Sequence, residues 1–235
     1  MPDKAIGELL RASPVFSGIP AREIEGLARV SQTEGRRPRE FIFMEGDPSR
    51  WFYIVKSGRV KILKHSRAGK DVVLELLGPG EIFGGVAVLE KRPYPATAQA
   101  METTEVLKIP SDPLLKLSER HQSIVREMAL MLGRRLRTAH ESVKSLAVEP
   151  VEPRLAATLM RLADREGKPS GAGVELPYHL TRQSLADMAG TTVETAIRVL
   201  SRWIKEGVVV DDRGRLVLKK PAALRAMAQG EPQDS

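Results

Sequence analysis

The chain of 235 residues contains no cysteine. This absence excludes disulfide bonds, zinc held by thiolates, cysteine nucleophiles and iron–sulfur clusters ligated by cysteine. Long hydrophobic runs are also missing, since no stretch approaches the ~18 to 20 apolar residues of a membrane helix. The first ten residues lack the basic and apolar regions of a signal peptide. We therefore expect a soluble, cytoplasmic protein with no membrane partner.

The signatures of common enzymes are missing as well. The sequence shows no nucleophile elbow, Walker loop, dinucleotide fingerprint, metal-spaced His/Asp cluster or acid–base pair. The glycines of residues 78–80 and 84–85 fit turns of a β-structure better than a phosphate loop, because no helix carrying a lysine follows them. We predict a protein that is not an enzyme and holds no metal ion.

Charge favours a polyanionic partner without locating it. The net charge is +7, but residues 148–235 contain 13 Lys and Arg against 12 Asp and Glu. Residues 148–235 thus carry only +1 of this excess, so charge does not mark a DNA-binding region, and only the position of individual residues can identify an interface. The length of the chain predicts two small domains.

Between residues 15 and 110, short apolar runs alternate with glycine-rich turns at spacings near ten residues. This pattern predicts an all-β sandwich or barrel. A short helix is predicted over residues 21–31, before the first of the predicted strands. The predicted strands include residues 41–43, 51–55, 60–63, 72–77 and 105–109, with turns at 45–47, 56–58, 68–70 and 78–80.

A long helix is predicted from Pro113 to about Ala147. Apolar residues recur along it at alternating spacings of four and three, the 3.5-residue period of a two-helix coiled coil. The narrow width of this stripe favours a dimer seam, whereas a helix lying on the barrel core usually has a broader apolar face. The predicted seam residues are Val125, Ala129, Leu132, Leu136, Ala139, Val143 and Leu146.

A helix-turn-helix is predicted near the C-terminus. Thr181 is a favourable N-cap for a helix over residues 182–189, and Gly190 suits the left-handed residue of a tight turn. Thr192 then caps a longer helix over residues 193–206. In this motif the second helix places its N-terminal residues along base edges in the major groove of DNA.

Arg198 can donate two hydrogen bonds to O6 and N7 of guanine, and Glu194 can accept one from N4 of cytosine. The alternative for these two side chains is an ordinary i,i+4 surface ion pair. The predicted base-reading residues are Val193, Glu194, Ile197 and Arg198.

A wing is predicted after the second helix, because residues 208–218 form two apolar runs joined by a turn that contains Gly214. A hairpin in this position favours DNA binding, and arginines at its tip suit contact with phosphates, which set register rather than sequence. The predicted phosphate contacts are Thr181, Arg182, Thr192, Thr195, Arg213 and Arg215.

The prolines of residues 149–153 predict a domain boundary, followed by a helix over residues 154–164 and a loop over 167–173. The predicted domains are an effector-sensing β-barrel (1–112), a dimerisation helix (113–148), a winged helix-turn-helix domain (149–226) and a disordered tail (227–235).

From Phe16 to about Leu224 the chain resembles the cyclic-AMP receptor protein/FNR family of bacterial regulators. The resemblance implies an α+β protein with a cyclic-nucleotide-binding-type β jelly roll, a homodimer through the long helix, and DNA binding controlled by an effector. It also implies activation through contact with RNA polymerase, with repression an open alternative. It rests on the motifs at residues 41–47, 52–60, 80–84, 96–100 and 192–200.

The resemblance implies an effector pocket, but two positions depart from members that bind cyclic AMP. Those members carry a Glu for the ribose and an Arg for the cyclic phosphate where this chain has Gly85 and Tyr94. Because the Arg supplies charge-assisted contacts, its loss disfavours cyclic AMP. The pocket residues by resemblance are Gly84, Gly85, Tyr94, Ala96 and Thr97.

Other effectors stay open. The segment 94–100 and the Val-Glu-Thr of the second helix are closer to the FNR branch, whose iron–sulfur cluster is excluded here by the lack of cysteine. Haem, another small molecule and no ligand are the remaining alternatives. His121 is the best placed of the four histidines for haem, although surface or packing roles are the simpler interpretation; the others are His65, His140 and His179.

The resemblance extends to the target site. Arg198 with guanine and Glu194 with the opposing cytosine predict a TGA core in each half-site. The cyclic-AMP receptor protein has a further base-reading Arg where this chain has Val193, so TTGA fits better than GTGA. Ile197 replaces a Ser of FNR and favours contact with a thymine methyl group. Twofold symmetry then predicts a TTGA-N6-TCAA-like palindrome with half-site centres ~10 bp apart.

One rival interpretation comes from another class of protein. The barrel of a signalling or scaffold protein would bind a small molecule, and its winged domain would bind another protein. Salt dependence separates the two interpretations, because DNA binding weakens steeply as salt is added.

Overall fold

The computed structural model describes residues 2–65, 71–171, 173–212 and 214–230. The chain forms two compact units, residues 1–138 and 139–235, and the mixed α+β composition agrees with the predicted fold class. Within the described ranges, no helix is long and apolar enough to cross a lipid bilayer.

The first unit contains two four-stranded antiparallel sheets. Their strand orders are β1-β8-β3-β6 and β2-β7-β4-β5. All five predicted strands are confirmed, whereas β1, β6 and β7 were missed because they are short or polar. The strands are β1 Gln32–Arg36, β2 Phe41–Phe43, β3 Trp51–Ser57, β4 Val60–His65, β5 Asp71–Leu77, β6 Ile82–Phe83, β7 Thr97–Ala100 and β8 Thr104–Pro110. The predicted turn at 68–70 lies outside the described residues.

Helices pack against the β1-β8-β3-β6 sheet. Phe52 and Ile54 of β3 and Leu107 of β8 are buried in one apolar cluster with residues of the surrounding helices. The helix predicted over residues 21–31 is confirmed and ends at Val30, with Ser31 as its C-cap. The helices are α1 Pro2–Ala12, α2 Ala21–Val30, α3 Gly85–Glu90, α4 Ser111–Arg120 and α5 Gln122–Val148, with a 3₁₀ turn at Pro14–Phe16.

The single helix predicted over residues 113–147 is wrong in one respect, since the chain forms two helices that meet at His121. This residue has an extended backbone (φ −126°, ψ 91°), and its Nε2 lies 3.0 Å from Oε1 of Glu23 on α2. Arg120 also pairs with Glu23, at 3.0 Å. The break between α4 and α5 thus coincides with a contact to a residue 98 positions away along the chain. No Gly or Pro lies at the break to mark it in the sequence.

The second unit is a small helical domain with a four-stranded antiparallel sheet of order β11-β12-β10-β9. The predicted helix over residues 154–164 is confirmed and extends at both ends. Its helices are α6 Val151–Glu166, α7 Arg182–Ala189, α8 Val193–Lys205 and α9 Pro221–Ala228; its strands are β9 Lys168–Ser170, β10 Gly173–His179, β11 Val209–Asp212 and β12 Arg215–Leu218.

Two predictions for this unit need correction. The segment 167–173 is not a plain loop, because β9 pairs with the start of β10. The predicted tail begins too early, since residues 227 and 228 lie in α9 and Met227 is buried in the core. The helix was missed because only a short Ala-rich stretch encodes it. Residues 231–235 of the predicted tail lie outside the described residues.

Candidate nucleic-acid interface and effector region

The helix-turn-helix forms where the local sequence predicts it. Thr181 has an extended backbone, and its Oγ1 accepts a hydrogen bond from the Ser184 N–H at 3.0 Å. Gly190 ends α7 in the left-handed conformation (φ +61°), which would be strained for a residue with a side chain. Thr191 N–H then donates to the Ala186 carbonyl at 3.0 Å, which closes the turn into α8.

Helix α8 has one apolar face and one exposed face. Ala196, Val199, Leu200 and Trp203 are buried, so they fix its rotation about its own axis. This rotation leaves Glu194, Arg198 and Ile197 (44 % exposed) on the outside, with Val193 half-buried beside them. The structure therefore brings the four predicted base-reading residues to the first two turns of one helix, as a major-groove helix requires.

Two of the threonines predicted to contact phosphates, Thr181 and Thr192, are also helix N-caps. The Thr195 N–H donates to Thr192 Oγ1 at 3.3 Å, and the Thr192 hydroxyl donates to Thr195 Oγ1 at 3.2 Å. The Thr181 hydroxyl donates to Ser184 Oγ at 2.9 Å. Each hydroxyl thus already has a partner in the free chain, and a phosphate contact would replace or share that hydrogen bond.

Arg182, predicted to contact a phosphate, is held in an ion pair within the chain. Its Nη2 is paired with the Asp211 carboxylate on β11, which also accepts a hydrogen bond from the Gly214 N–H at 2.7 Å. Partial burial alone would raise the pKa of Asp211, but the hydrogen bonds from Arg182 and Gly214 lower it below its usual value. This pair connects the start of α7 to the wing.

The predicted wing is confirmed as the β11–β12 hairpin. Arg215 lies on β12, half exposed, with Nη1 3.5 Å from Oε1 of Glu175. Arg213 lies outside the described residues.

Sequence reasoning missed a group of contacts behind α8. Glu152, in the first turn of α6, accepts a hydrogen bond from Trp203 Nε1 at 3.0 Å and pairs with Arg202, whose pKa it raises. These contacts join residues 50 or more positions apart, so no local pattern could have found them. Beside them is a groove of about 360 Å³ lined by Val151, Glu152, Thr195, Arg198, Val199 and Arg202.

The residues implied as an effector pocket are packed into the first unit. Gly84 (φ +75°) precedes α3, and a Cβ there would lie 3.2 Å from Tyr94 Cε1. A Cβ at Gly85 would lie 2.6 Å from Met128 Cε, closer than the packing allows. Ala96 and Thr97 are buried, and Thr97 Oγ1 accepts a hydrogen bond from the Glu45 N–H at 3.0 Å.

Aromatic rings occupy the space beside this segment. Tyr94 is 2 % exposed and stacks on Phe43 with ring centroids 3.8 Å apart, while Tyr53 stacks on Phe83 at 5.0 Å. The Tyr94 hydroxyl donates to the Trp51 carbonyl at 2.5 Å. Burial raises the pKa of Tyr94, so its phenol stays neutral and keeps this donor. At the position where the resemblance implies an Arg in members that bind cyclic AMP, this chain has an uncharged ring within an aromatic cluster.

The four histidines all lie outside the segment implied as the effector pocket. His121 Nε2 is engaged with Glu23, and His65 Nδ1 lies 2.6 Å from Asp71 Oδ1. His140 is exposed on α5, and His179 is exposed at the end of β10 beside Gly214. In the described part of the chain, no three His, Asp or Glu side chains are grouped to hold a metal ion.

Helix α5 carries two separate apolar stripes. Ile124 and Met128 are buried in the first unit's core, and Arg135 binds both Glu75 Oε1 (2.6 Å) and the Ile82 carbonyl (2.5 Å). The predicted seam lies on another face of the same helix. Leu132 is half-buried, whereas the other six seam residues are exposed, including Leu136 at 56 % and Val143 at 65 %. The helix does pack on the barrel, but through a different stripe from the one predicted for dimerisation.

Comparisons with known proteins agree with this architecture. Residues 36–121 match the cyclic nucleotide-binding domain family, and residues 153–227 match the Crp-like helix-turn-helix domain family. The chain is 31 % identical to the cyclic AMP receptor protein of Thermus thermophilus, across 94 % of this chain and 99 % of that protein. It is 27 % identical to the transcriptional activator protein anr of Pseudomonas aeruginosa, across 82 % of this chain and 78 % of that protein.

Among solved structures, FixK2 from Bradyrhizobium japonicum has the same fold, with a TM-score of 0.75 and 23 % identity over 88 % of this chain and 100 % of that chain. The Thermus relative is similar over nearly its whole length, and the two domain families match the two units in order. The chain therefore belongs to the cyclic-AMP receptor protein/FNR family of transcription regulators, with a C-terminal helix-turn-helix DNA-binding domain.

Proposed function

We propose that this regulator acts in the cytoplasm as a homodimer that binds a TTGA-N6-TCAA-like palindrome. The observation that carries the proposal is the exposed face of α8, where Arg198 and Glu194 lie one helical turn apart above a buried apolar face. An Arg in this position can recognise guanine through two hydrogen bonds, and a Glu can accept one from cytosine. Thr181, Thr192, Thr195 and Arg215, with Arg182 and Arg213, would then contact phosphates.

The proposed dimer uses the exposed stripe of α5. Seven apolar positions follow a heptad period over residues 125–146, and six of them are exposed in the single chain. Apolar surface of this extent on a long helix is stabilised by a second copy of the same stripe. Two recognition helices related by a twofold axis then match a palindromic site.

The proposed regulation begins at the first unit. A signal there would shift the population between arrangements of the dimer that bind DNA well and poorly. A small molecule other than a cyclic nucleotide is one class of signal, and control without any ligand is the other. Once on DNA, the dimer would contact RNA polymerase, as the resemblance to the family implies.

The proposal is tested by fluorescence anisotropy with a labelled TTGA-N6-TCAA duplex and a scrambled duplex at the same salt. We expect affinity for the palindrome to exceed that for the scrambled duplex by at least ~10³-fold, because base contacts add to the phosphate contacts that both duplexes share. Equal, weak affinity for the two would contradict the half-site or show that the dimer without its signal is in the arrangement that binds DNA poorly. Binding of neither duplex even at low salt would favour a scaffold role for the winged domain.

Cyclic AMP is expected to leave this protein unchanged. Tyr94 offers no charge for a cyclic phosphate, and its ring is stacked on Phe43. A ligand present at 100 times its Kd stabilises a folded protein by about 2.7 kcal/mol, which a thermal melt detects readily. We predict no change in Tm and no change in affinity for the palindrome when cyclic AMP is added. A rise in Tm would show that the aromatic cluster opens to admit the nucleotide.

A further inference from the structure

Arg154, in the first turn of α6, binds three backbone carbonyl groups at once. Its Nη1 donates to the Glu149 carbonyl at 2.8 Å, its Nε to Ala189 at 3.0 Å and its Nη2 to Gly190 at 3.1 Å. Glu149 directly follows the last residue of α5, and the other two acceptors lie at the end of α7. Carbonyl groups at the C-terminal end of a helix lack partners within the helix and favour a nearby cation.

A second contact joins the same elements. The Leu146 side chain, in the last turn of α5, lies so close to Gly190 that a Cβ added to Gly190 would overlap Leu146 Cδ2. Gly190 is favoured by its left-handed backbone, and its lack of a side chain leaves room for Leu146. The end of α5, the start of α6 and the turn between α7 and α8 therefore form one small cluster around the Arg154 guanidinium.

We propose that Arg154 is a positioning residue for DNA binding, which fixes the angle between the end of the dimerisation helix and the helix-turn-helix. This inference rests on the proposed function, because the angle matters only when two recognition helices must reach two half-sites together. A guanidinium suits the role, since its planar fork holds several acceptors in one fixed geometry, which a lysine amine does not. Because the Arg154 guanidinium donates to these three carbonyls, its contacts are internal to the chain and it is not assigned a phosphate contact.

The consequence is a preference for one spacing between half-sites. Each base pair added to the spacer rotates one half-site by about 35° around the DNA axis, since a turn contains 10–10.5 bp. A rigid joint makes the second recognition helix miss its half-site when the spacing changes. A loosened joint tolerates other spacings but lowers the effective concentration of the second helix at the correct one.

The test compares full-length wild type with Arg154→Gln and Arg154→Lys on four duplexes: the palindrome with spacers N6, N7 and N8, and a duplex with a single half-site. For Arg154→Gln we expect a loss of about tenfold in affinity for the N6 palindrome and a flatter dependence on spacer length, because the effective concentration of the second helix falls. Affinity for the single half-site should change less than about twofold, since no base or phosphate contact is lost. The affinity of Arg154→Lys for the N6 palindrome, and its dependence on spacer length, should lie between those of wild type and Arg154→Gln.

Arg165→Gln removes the same charge from the other end of α6 and should leave all four affinities at their wild-type values. Equal losses on the palindrome and the single half-site would overturn the proposal, since Arg154 would then act on folding or touch DNA itself. Unchanged spacer preference would overturn it as well. A wild type that binds the palindrome no better than the single half-site would instead refute the proposed dimeric function and, with it, the role of the joint.

Discussion

Replacing Leu136 by glutamate is expected to convert the dimer into a monomer and to reduce affinity for the palindrome by more than about 100-fold, because like charges facing each other across an interface cost several kcal/mol. In a twofold seam, each position meets its own copy, so one substitution places two carboxylates opposite each other. Leu136 lies in the middle of the exposed stripe of α5, and 56 % of it is exposed in the single chain.

The measurement is the mass in solution by sedimentation equilibrium, with 25.9 kDa for one chain and twice that value for the dimer. Binding to the palindrome and to a single half-site is measured on the same samples, and the two affinities should become equal in the variant. Thr138→Glu, which adds the same charge to the exposed outer face of α5, serves as the control and should remain dimeric. A Leu136→Glu variant that stays dimeric would show that the seam lies elsewhere.

Replacing Arg198 by alanine is expected to lower affinity for the palindrome by about 5- to 150-fold per half-site, the equivalent of ~1 to 3 kcal/mol. The reason is the loss of two hydrogen bonds to one guanine, while the phosphate contacts stay in place. Affinity for the scrambled duplex should therefore change little, and so should the dependence of binding on salt.

A duplex with 7-deazaguanine at the predicted position makes this test specific. This base lacks the N7 acceptor, so it should weaken binding of wild type but not of Arg198→Ala. Arg202→Ala is the matched protein control, because Arg202 lies one turn further along α8 and is paired with Glu152. Equal losses of Arg198→Ala on the palindrome and the scrambled duplex would mean that Arg198 contacts the backbone of DNA rather than a base.

Both predictions begin from features that the sequence encodes locally. The helix-turn-helix depends on Thr181, Gly190 and Thr192, which act on backbone groups within a few residues of themselves. The apolar period of α8 then decides which side chains are buried. For the same reason the main strands of the first unit and the wing were predictable, since alternation and turns are short-range signals.

What the sequence left open concerns partners that are far apart along the chain. The 3.5-residue period of α5 predicted an exposed stripe, but only the packing of Ile124, Met128 and Arg135 shows that the helix also uses a second face on the barrel. The break at His121 follows the same rule, because its partner Glu23 lies 98 residues away.

By itself, then, the sequence determined the class of fold, the recognition helix and the exclusion of cysteine chemistry, since composition, caps and periodicity act locally. Only the tertiary structure decided that Tyr94 is stacked in an aromatic cluster, that Arg182 is held by Asp211 and that Arg154 joins three carbonyls. Each of these contacts joins residues that are 29 or more positions apart, or depends on the choice of which of several nearby acceptors a side chain binds. A local pattern does not encode that choice, because it is made by the packing of the whole unit.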